Sequence, residues 1–251
     1  MIPAKKLGMK TKQLLFLVCS LLLLSSCTFN LGFKRISPST NIVEKELPQS
    51  AFDKINISAM ANIKYVQGET DNYRVVISAP DNYLDLFRIN VNEGKLMIDF
   101  EQENIEIETK NVNILIYAPT LNELSNSGIA EVKVDSLQAD VLLLENSGVG
   151  SLLLDNVRLS QLDVQCSGVG NIKLSGEVDC AKMDCSGVGN IDARQLLART
   201  VTGAVSGVGD ISCYVTDSLE ANVNGVGSLK YTGDPQYKKL NSTGVGSIQQ
   251  Q

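Results

Sequence analysis

The sequence predicts an all-β fold: a single-stranded parallel β-helix, or solenoid, with coils of about 20 residues and an N-terminal β-strand cap. Three observations predict it. A glycine-containing tetrapeptide recurs seven times, apolar and polar residues alternate in short runs, and no stretch carries a convincing helical period. Composition agrees, with 20 glycines, no Trp, no His and 5% aromatics among 251 residues. At 43% hydrophobic and 20% charged, the chain has enough apolar material to fold.

The N-terminus stands apart. Residues 1–26 read as a signal peptide. Lys5, Lys6, Lys10 and Lys12 precede an apolar run of eleven residues, Leu14 to Leu24, shorter than the roughly 20 that a spanning helix needs. The run ends at Leu24-Ser25-Ser26-Cys27, which resembles the lipobox of bacterial lipoproteins. There, small residues open the backbone to a signal peptidase, and the thiol of Cys27 takes a diacylglycerol. Removing residues 1–26 takes away four lysines and no acid, leaving 18 basic and 28 acidic residues and a formal charge of −10. Such a surface disfavours nucleic acid as a partner and electrostatic adsorption to anionic lipid, so the expected membrane contact is the N-terminal lipid. Residues 27–47 read as the lipidated cysteine and a tether, with Pro38 in a Ser/Thr-rich stretch. A coil of this length spans roughly 25 Å r.m.s..

The expected domain is residues 48–251, with strands over 48–120 and repeat coils over 121–251. Ile55-Asn56-Ile57, Tyr73 to Ile77, Leu96 to Phe100 and Val112 to Ile116 alternate with period two and predict strands. Asn92-Glu93-Gly94-Lys95 predicts a hairpin turn with Gly94 at positive φ. Tyr83 to Phe87 suits one short helical turn.

The repeats begin at Ser127 (Ser-Gly-Ile-Ala), Ser147, Ser167, Ser186, Ser206, Asn224 and Thr243, at spacings of 20, 20, 19, 20, 18 and 19 residues. A 20-residue unit cannot bury its own apolar face, but stacking such units at about 4.8 Å buries a continuous core; seven coils rise roughly 34 Å. A right-handed sense is expected from the crossover rule. The paired glycines (Gly148 and Gly150, Gly168 and Gly170, Gly187 and Gly189, Gly207 and Gly209, Gly225 and Gly227, Gly244 and Gly246) are expected to turn a corner of each coil. Gly there permits positive φ and close approach of neighbouring turns. The Ser, Asn or Thr before each pair can bond to the turn backbone. Three inward columns are expected: Leu124, Leu144, Val164, Met183, Gly203, Ala221 and Leu240; Asn126, Asn146, Cys166, Cys185, Val205, Val223 and Ser242; and the valine within each tetrapeptide. Glu145, Gln165, Asp184 and Asn222 are expected to face solvent.

Ser167-Gly-Val-Gly-Asn-Ile172, Ser186-Gly-Val-Gly-Asn-Ile191 and Ser206-Gly-Val-Gly-Asp-Ile211 resemble the Ser-Gly-x-Gly-[Asp/Asn]-Ile repeats of the head GIN domain family. Its members are described as auto-transporter adhesins, and many are lipoproteins of Bacteroidota. Phe52 to Gly68 resembles that family's opening strand pair, with Ser58-Ala59-Met60-Ala61-Asn62-Ile63 standing where a first repeat would be, although both glycines are missing. The resemblance covers roughly residues 48 to 248; it implies the fold and attaches no catalytic set.

Without His, Ser-His-Asp and Cys-His machinery is impossible and the commonest metal ligand is missing. No catalytic residue, metal site or cofactor is expected. The Gly-x-Gly units lack the helix and the Lys-Ser/Thr of a phosphate loop. The position after each tetrapeptide (Glu131, Ser151, Asn171, Asn190, Asp210, Ser228, Ser247) carries too few carboxylates for a calcium roll. Cys166 and Cys185 occupy equivalent positions in adjacent coils, within reach of a disulfide. Their parallel orientation favours free thiols.

The function expected is a cell-envelope lipoprotein acting as a non-catalytic binding, adhesin-like or structural module, with a glycan or an envelope protein as ligand. The alternatives are a carbohydrate-active β-helix enzyme, marked by a groove with paired carboxylates, and a lipid-handling lipoprotein, marked by an apolar cavity. Residues 28–32 lack the acidic run that resembles a surface-export signal, so the expectation is an outer-membrane anchor facing the periplasm.

Overall fold

Among the described residues, 71% lie in strands and 3% in helix. The computed structural model describes residues 34–100, 105–108 and 111–251. The signal peptide, the lipobox with Cys27 and tether residues 28–33 lie outside the described residues. The chain divides into two units, residues 1–34 and 35–251; the second contains the solenoid, and its core is closed within itself.

The solenoid has three faces joined by parallel ladders. On the first, residues 123–126 pair with 143–146, which pair with 163–166, then 182–185, 202–205, 220–223 and 239–242. On the second, Ile129–Val134 pairs with residues 149–154, then 169–174. The third begins with residues 137–141 over 157–161. Single strands run round the bends: Val149–Cys166 and Val188–Val205 are each 18 residues long.

The uneven repeat length has a location. Registers shift between Ala198 and Thr200 on the third face, and between Leu154 and Val157, between Lys173 and Ser175, and between Ala193 and Leu197 at the bend from the second face to the third. Asn156 sits there at φ 51, a left-handed conformation that Asn tolerates better than most residues. Insertions and deletions are absorbed at this bend and along the third face, so the first and second faces keep their registers.

The N-terminal strands form more than a cap. Lys54–Ile57 and Met60–Gln67 make a full corner of the solenoid. It is stacked between the coil of Lys95–Phe100 and Asn113–Ala118 on one side and that of residues 123–134 on the other. Spatial order therefore departs from chain order. The true cap is antiparallel: Arg74–Pro80 pairs with Asn113–Ala118, and Phe87–Asn92 pairs with Lys95–Phe100 through a two-residue turn. Glu93 at φ 49 and Gly94 at φ 74 give that turn its double positive φ. A 3₁₀ segment, Asp81–Leu86, buries Tyr83 and Leu86 against the core. Residues 42–47, expected in the tether, instead belong to an edge strand, Ile42–Pro48, that pairs with Arg74–Pro80. Val43 and Leu47 are half-buried, while Glu44, Lys45, Glu46 and Pro48 are exposed, a charged, proline-ended edge that discourages further pairing.

Inside, the first two expected columns are buried from Leu124 to Ala221 and from Asn126 to Val223; Leu240 and Ser242 in the last coil are exposed. The exception in size is Gly203, where an added Cβ would lie 2.4 Å from Cδ1 of Leu229. The leucine side chain thus fills the space that Gly203 leaves. Gly203→Val is expected to overpack this point and cost about 1–3 kcal/mol. Adding Leu229→Ala should recover part of that loss, and a double-mutant cycle by urea unfolding measures the coupling.

Candidate functional site

The repeated tetrapeptide forms one corner of each coil. Its geometry starts from a shared acceptor: the carbonyl of Cys166 receives the N–H groups of both Ser186 and Gly187, each at 3.0 Å, and Val188 N–H bonds to Gly168 O at 2.9 Å. The same pattern recurs from Ser127 to Val226. Two successive amides directed at one carbonyl turn the chain sharply and draw adjacent corners together. A Cβ on Gly187 would fall 2.2 Å from Gly168 O, and one on Gly189 would fall 1.7 Å from Gly170 O. Close approach is therefore what demands glycine at both places. Positive φ contributes only at some second glycines, among them Gly150 at φ 133 and Gly170 at φ 151.

The first corner shows the rule by its exception. Ser58 to Ile63 stands in register with the repeats, Ala61 opposite Ala130 and Ile63 opposite Val132. On its other side, ladder pairing stops at Ile98 and resumes at Asn113. Among the described residues, no ladder partner faces Ala59 or Ala61 on that side.

Three of the residues that follow a tetrapeptide, Asn171, Asn190 and Asp210, have a backbone role that the sequence did not reveal. Asn171 Oδ1 accepts Asn190 N–H at 3.2 Å, Asn190 Oδ1 accepts Asp210 N–H at 2.9 Å, and Asp210 Oδ1 accepts Ser228 N–H at 2.8 Å. Each side chain serves the amide of the next coil. Lys230 bonds to the other oxygen of Asp210 at 2.6 Å and holds its carboxyl below the usual range. The serines before the glycines act downward: Ser127 and Ser147 donate to the carbonyls of Ile57 and Asn126.

The valine within the tetrapeptide corrects the sequence reading. It points outward: Ile129, Val149, Val169, Val188, Val208 and Val226 are 47–54% exposed. At a corner where two flanking glycines press onto the coil below, the side chain between them has no inward path.

Residues 51–235 match the family model described as a putative auto-transporter adhesin, head GIN domain. The chain belongs to the head GIN domain family. A solved putative adhesin from Bacteroides fragilis is 35% identical over 86% of this chain and 100% of its own, with a TM-score of 0.83. A putative lipid binding protein from Parabacteroides distasonis, at 24% identity, has a TM-score of 0.70 over 87% of this chain and 100% of its own. A putative adhesin from Parabacteroides merdae, at 21% identity, has a TM-score of 0.64 over 86% and 99%. These last two share the fold. No curated protein matches the sequence.

Two further features of this head GIN domain bear on chemistry. Cys166 and Cys185 are stacked, buried and unbonded. The hydrogen bond to Cys166, together with burial, raises the Cys185 thiol above its ordinary range. Burial pushes Cys213 up to about 12. Cys180 is the exposed thiol among the described residues.

The second feature is a trough of about 540 Å³ on the outer second face. Register lays two rows across its strands. One is Ser78, Asn113, Asn62, Glu131 and Ser151; the other is Val76, Leu115, Lys64, Lys133 and Leu153. Lys64 and Lys133, directly opposite each other, share Asp135 at 2.6 and 2.9 Å. Their bonds hold the Asp135 carboxyl below its usual range. The trough thus offers a polar, amide-rich row beside an apolar one, with its central cations already paired.

Central corners have neighbours on both sides, so Gly187→Val or Gly189→Val should lower the melting temperature clearly more than Gly246→Val in the last coil. Half-buried Asp184→Asn should be nearly neutral. Thermal unfolding of residues 35–251 compares the four. A separate expectation concerns acid. The depressed carboxyl of Asp210 adds stability above the pKa of the unfolded chain, and that stability is lost as pH falls through the carboxylate range. Asp210→Asn keeps the amide acceptor but should flatten this part of the pH profile, slightly, because the pair is partly exposed.

Proposed function

We propose that this head GIN domain is a non-catalytic, adhesin-like binding module of the cell envelope, anchored by lipid on Cys27, and that the trough holds a glycan chain. The trough carries this reading. A pyranose ring has an apolar C–H face and a rim of hydroxyls. Val76, Leu115 and Leu153 suit the face, and Asn62, Asn113, Ser78 and Ser151 suit the rim. Glu44 and Glu131 also line the trough, so that with Asp135 three carboxylates face two lysines, and a neutral saccharide fits better than an acidic one. The names of the B. fragilis relative and of the family support the adhesin-like part. The lipid-handling alternative calls for an open apolar interior, whereas the core columns here are filled by side chains such as Leu144, Val164 and Met183 at 0–1% exposure. No helix among the described residues is long and apolar enough to cross a membrane. The lipid on Cys27 is the contact proposed in its place, with the domain in the outer-membrane compartment facing the periplasm.

The test is an array of neutral and uronic-acid oligosaccharides probed with residues 35–251. Retention of neutral glycans is expected, reduced about tenfold by Asn62→Ala with Leu115→Ser, equivalent to about 1.4 kcal/mol. If the wild-type domain retains no glycan, the trough reading fails. For the anchor, mass spectrometry of the membrane-extracted protein should find an acylated N-terminus at Cys27, lost in Cys27→Ser. An unmodified or different N-terminus would remove the lipoprotein claim.

A further inference from the structure

The outward valines form a ridge. Ile129 pairs in register with Val149, Val149 with Val169, and Val169 with Val188; bridges continue to Val208 and Val226. Six aliphatic side chains, each about half exposed, therefore stand in line at about 4.8 Å spacing over roughly 24 Å. A glycine column runs along one side, Gly128 to Gly225, and a second, Ala130 to Gly227, along the other. Lacking side chains, these columns are furrows, and the ridge stands between them.

β-Propensity alone does not explain the column. Other outward positions vary freely: the residue after the tetrapeptide is Glu, Ser, Asn or Asp, and the residue two before it is Asn, Ser, Gln or Asp at many copies, as in Gln165 and Asp184. The ridge position is Ile or Val in every copy from Ile129 to Val245. The stripe exposes roughly 400–500 Å² of aliphatic surface, as much as the largest apolar patch on a typical monomer and over half of the ~800 Å² per partner in a standard interface.

We infer that the ridge is the interface with a second copy of this chain. Two properties single out that occupant. Pitch is the first: a partner built on the same coil spacing matches the ridge residue for residue, so the two ridges meet side chain against side chain. Charge is the second. Copies with a formal charge of −6 or lower repel each other, but the ridge, both furrows and the bordering column of Ser127, Ser147, Ser167, Ser186, Ser206 and Asn224 carry no charge, and the other border carries only Glu131 and Asp210, the latter paired with Lys230. It is a strip along which like-charged copies can meet. A two-fold axis between Val169 and Val188 makes the ridges antiparallel and sets Val149 opposite the partner's Val208.

Sedimentation equilibrium of residues 35–251 tests the interface. The wild type should show a concentration-dependent dimer. Val169→Ser with Val188→Ser and Val208→Ser should remain monomeric, with a melting temperature within a few degrees of wild type. Disulfide trapping tests the geometry in a Cys180→Ser background. A mixture of Val149→Cys and Val208→Cys chains should give the mixed dimer, each alone should give little, and Ser160→Cys on the third face should give none. A wild type that stays monomeric at about 0.5 mM, a triple variant that still dimerises, or equal trapping at Ser160 overturns the proposal.

Discussion

Everything in this molecule hangs on one contact: the corner backbone of each coil lies on that of the coil below, with a carbonyl where a side chain would be. Gly189 over Gly170 and Gly170 over Gly150 leave 1.7 Å between a hypothetical Cβ and the oxygen beneath. With the corners in contact, the first and second faces leave them in register. Leu144, Val164 and Met183 then align as one core column, and Leu152, Ile172 and Ile191 as another. The constraint also explains what is free to vary. The bend between the second and third faces makes such contacts only here and there, as where Gly176 lies over Val157, and there the register shifts most.

Two levels of polar satisfaction accompany the contact. Shared carbonyls take the amides of Ser and Gly, and the side-chain oxygens of Asn171, Asn190 and Asp210 take the next coil's amide. The motif Ser-Gly-Val-Gly-[Asn/Asp]-Ile thus reads as a set of demands made by stacking: two bare backbones, one amide acceptor and one core side chain. The valine is the position that stacking leaves unassigned.

The solenoid, its pitch and most of its core were legible in the sequence because the repeat is long enough to display its own register. Period alone identified the columns of Leu124 and Asn126. It failed at the valine, because alternation counts positions along a strand and the corner breaks that count: both glycine flanks press inward. It also could not show that Phe52 to Gly68 lies between coils formed much later in the chain, since no local pattern encodes which strands become neighbours. The trough was invisible for the same reason. Its rows join Val76, Leu115, Lys64 and Lys133 from four separated segments.

That displaced coil has a kinetic consequence. Residues 54–67 have their two ladder partners in residues 95–118 and 123–134. Neither exists as a template while the chain has been made only to residue 94. The N-terminal quarter of the domain therefore cannot assemble by itself. Loop closure across roughly forty residues must come first, raising the contact order of the nucleus well above that of the later coils, which each need only the coil before. The later coils can then add in succession, whereas the start of the solenoid forms as one concerted event.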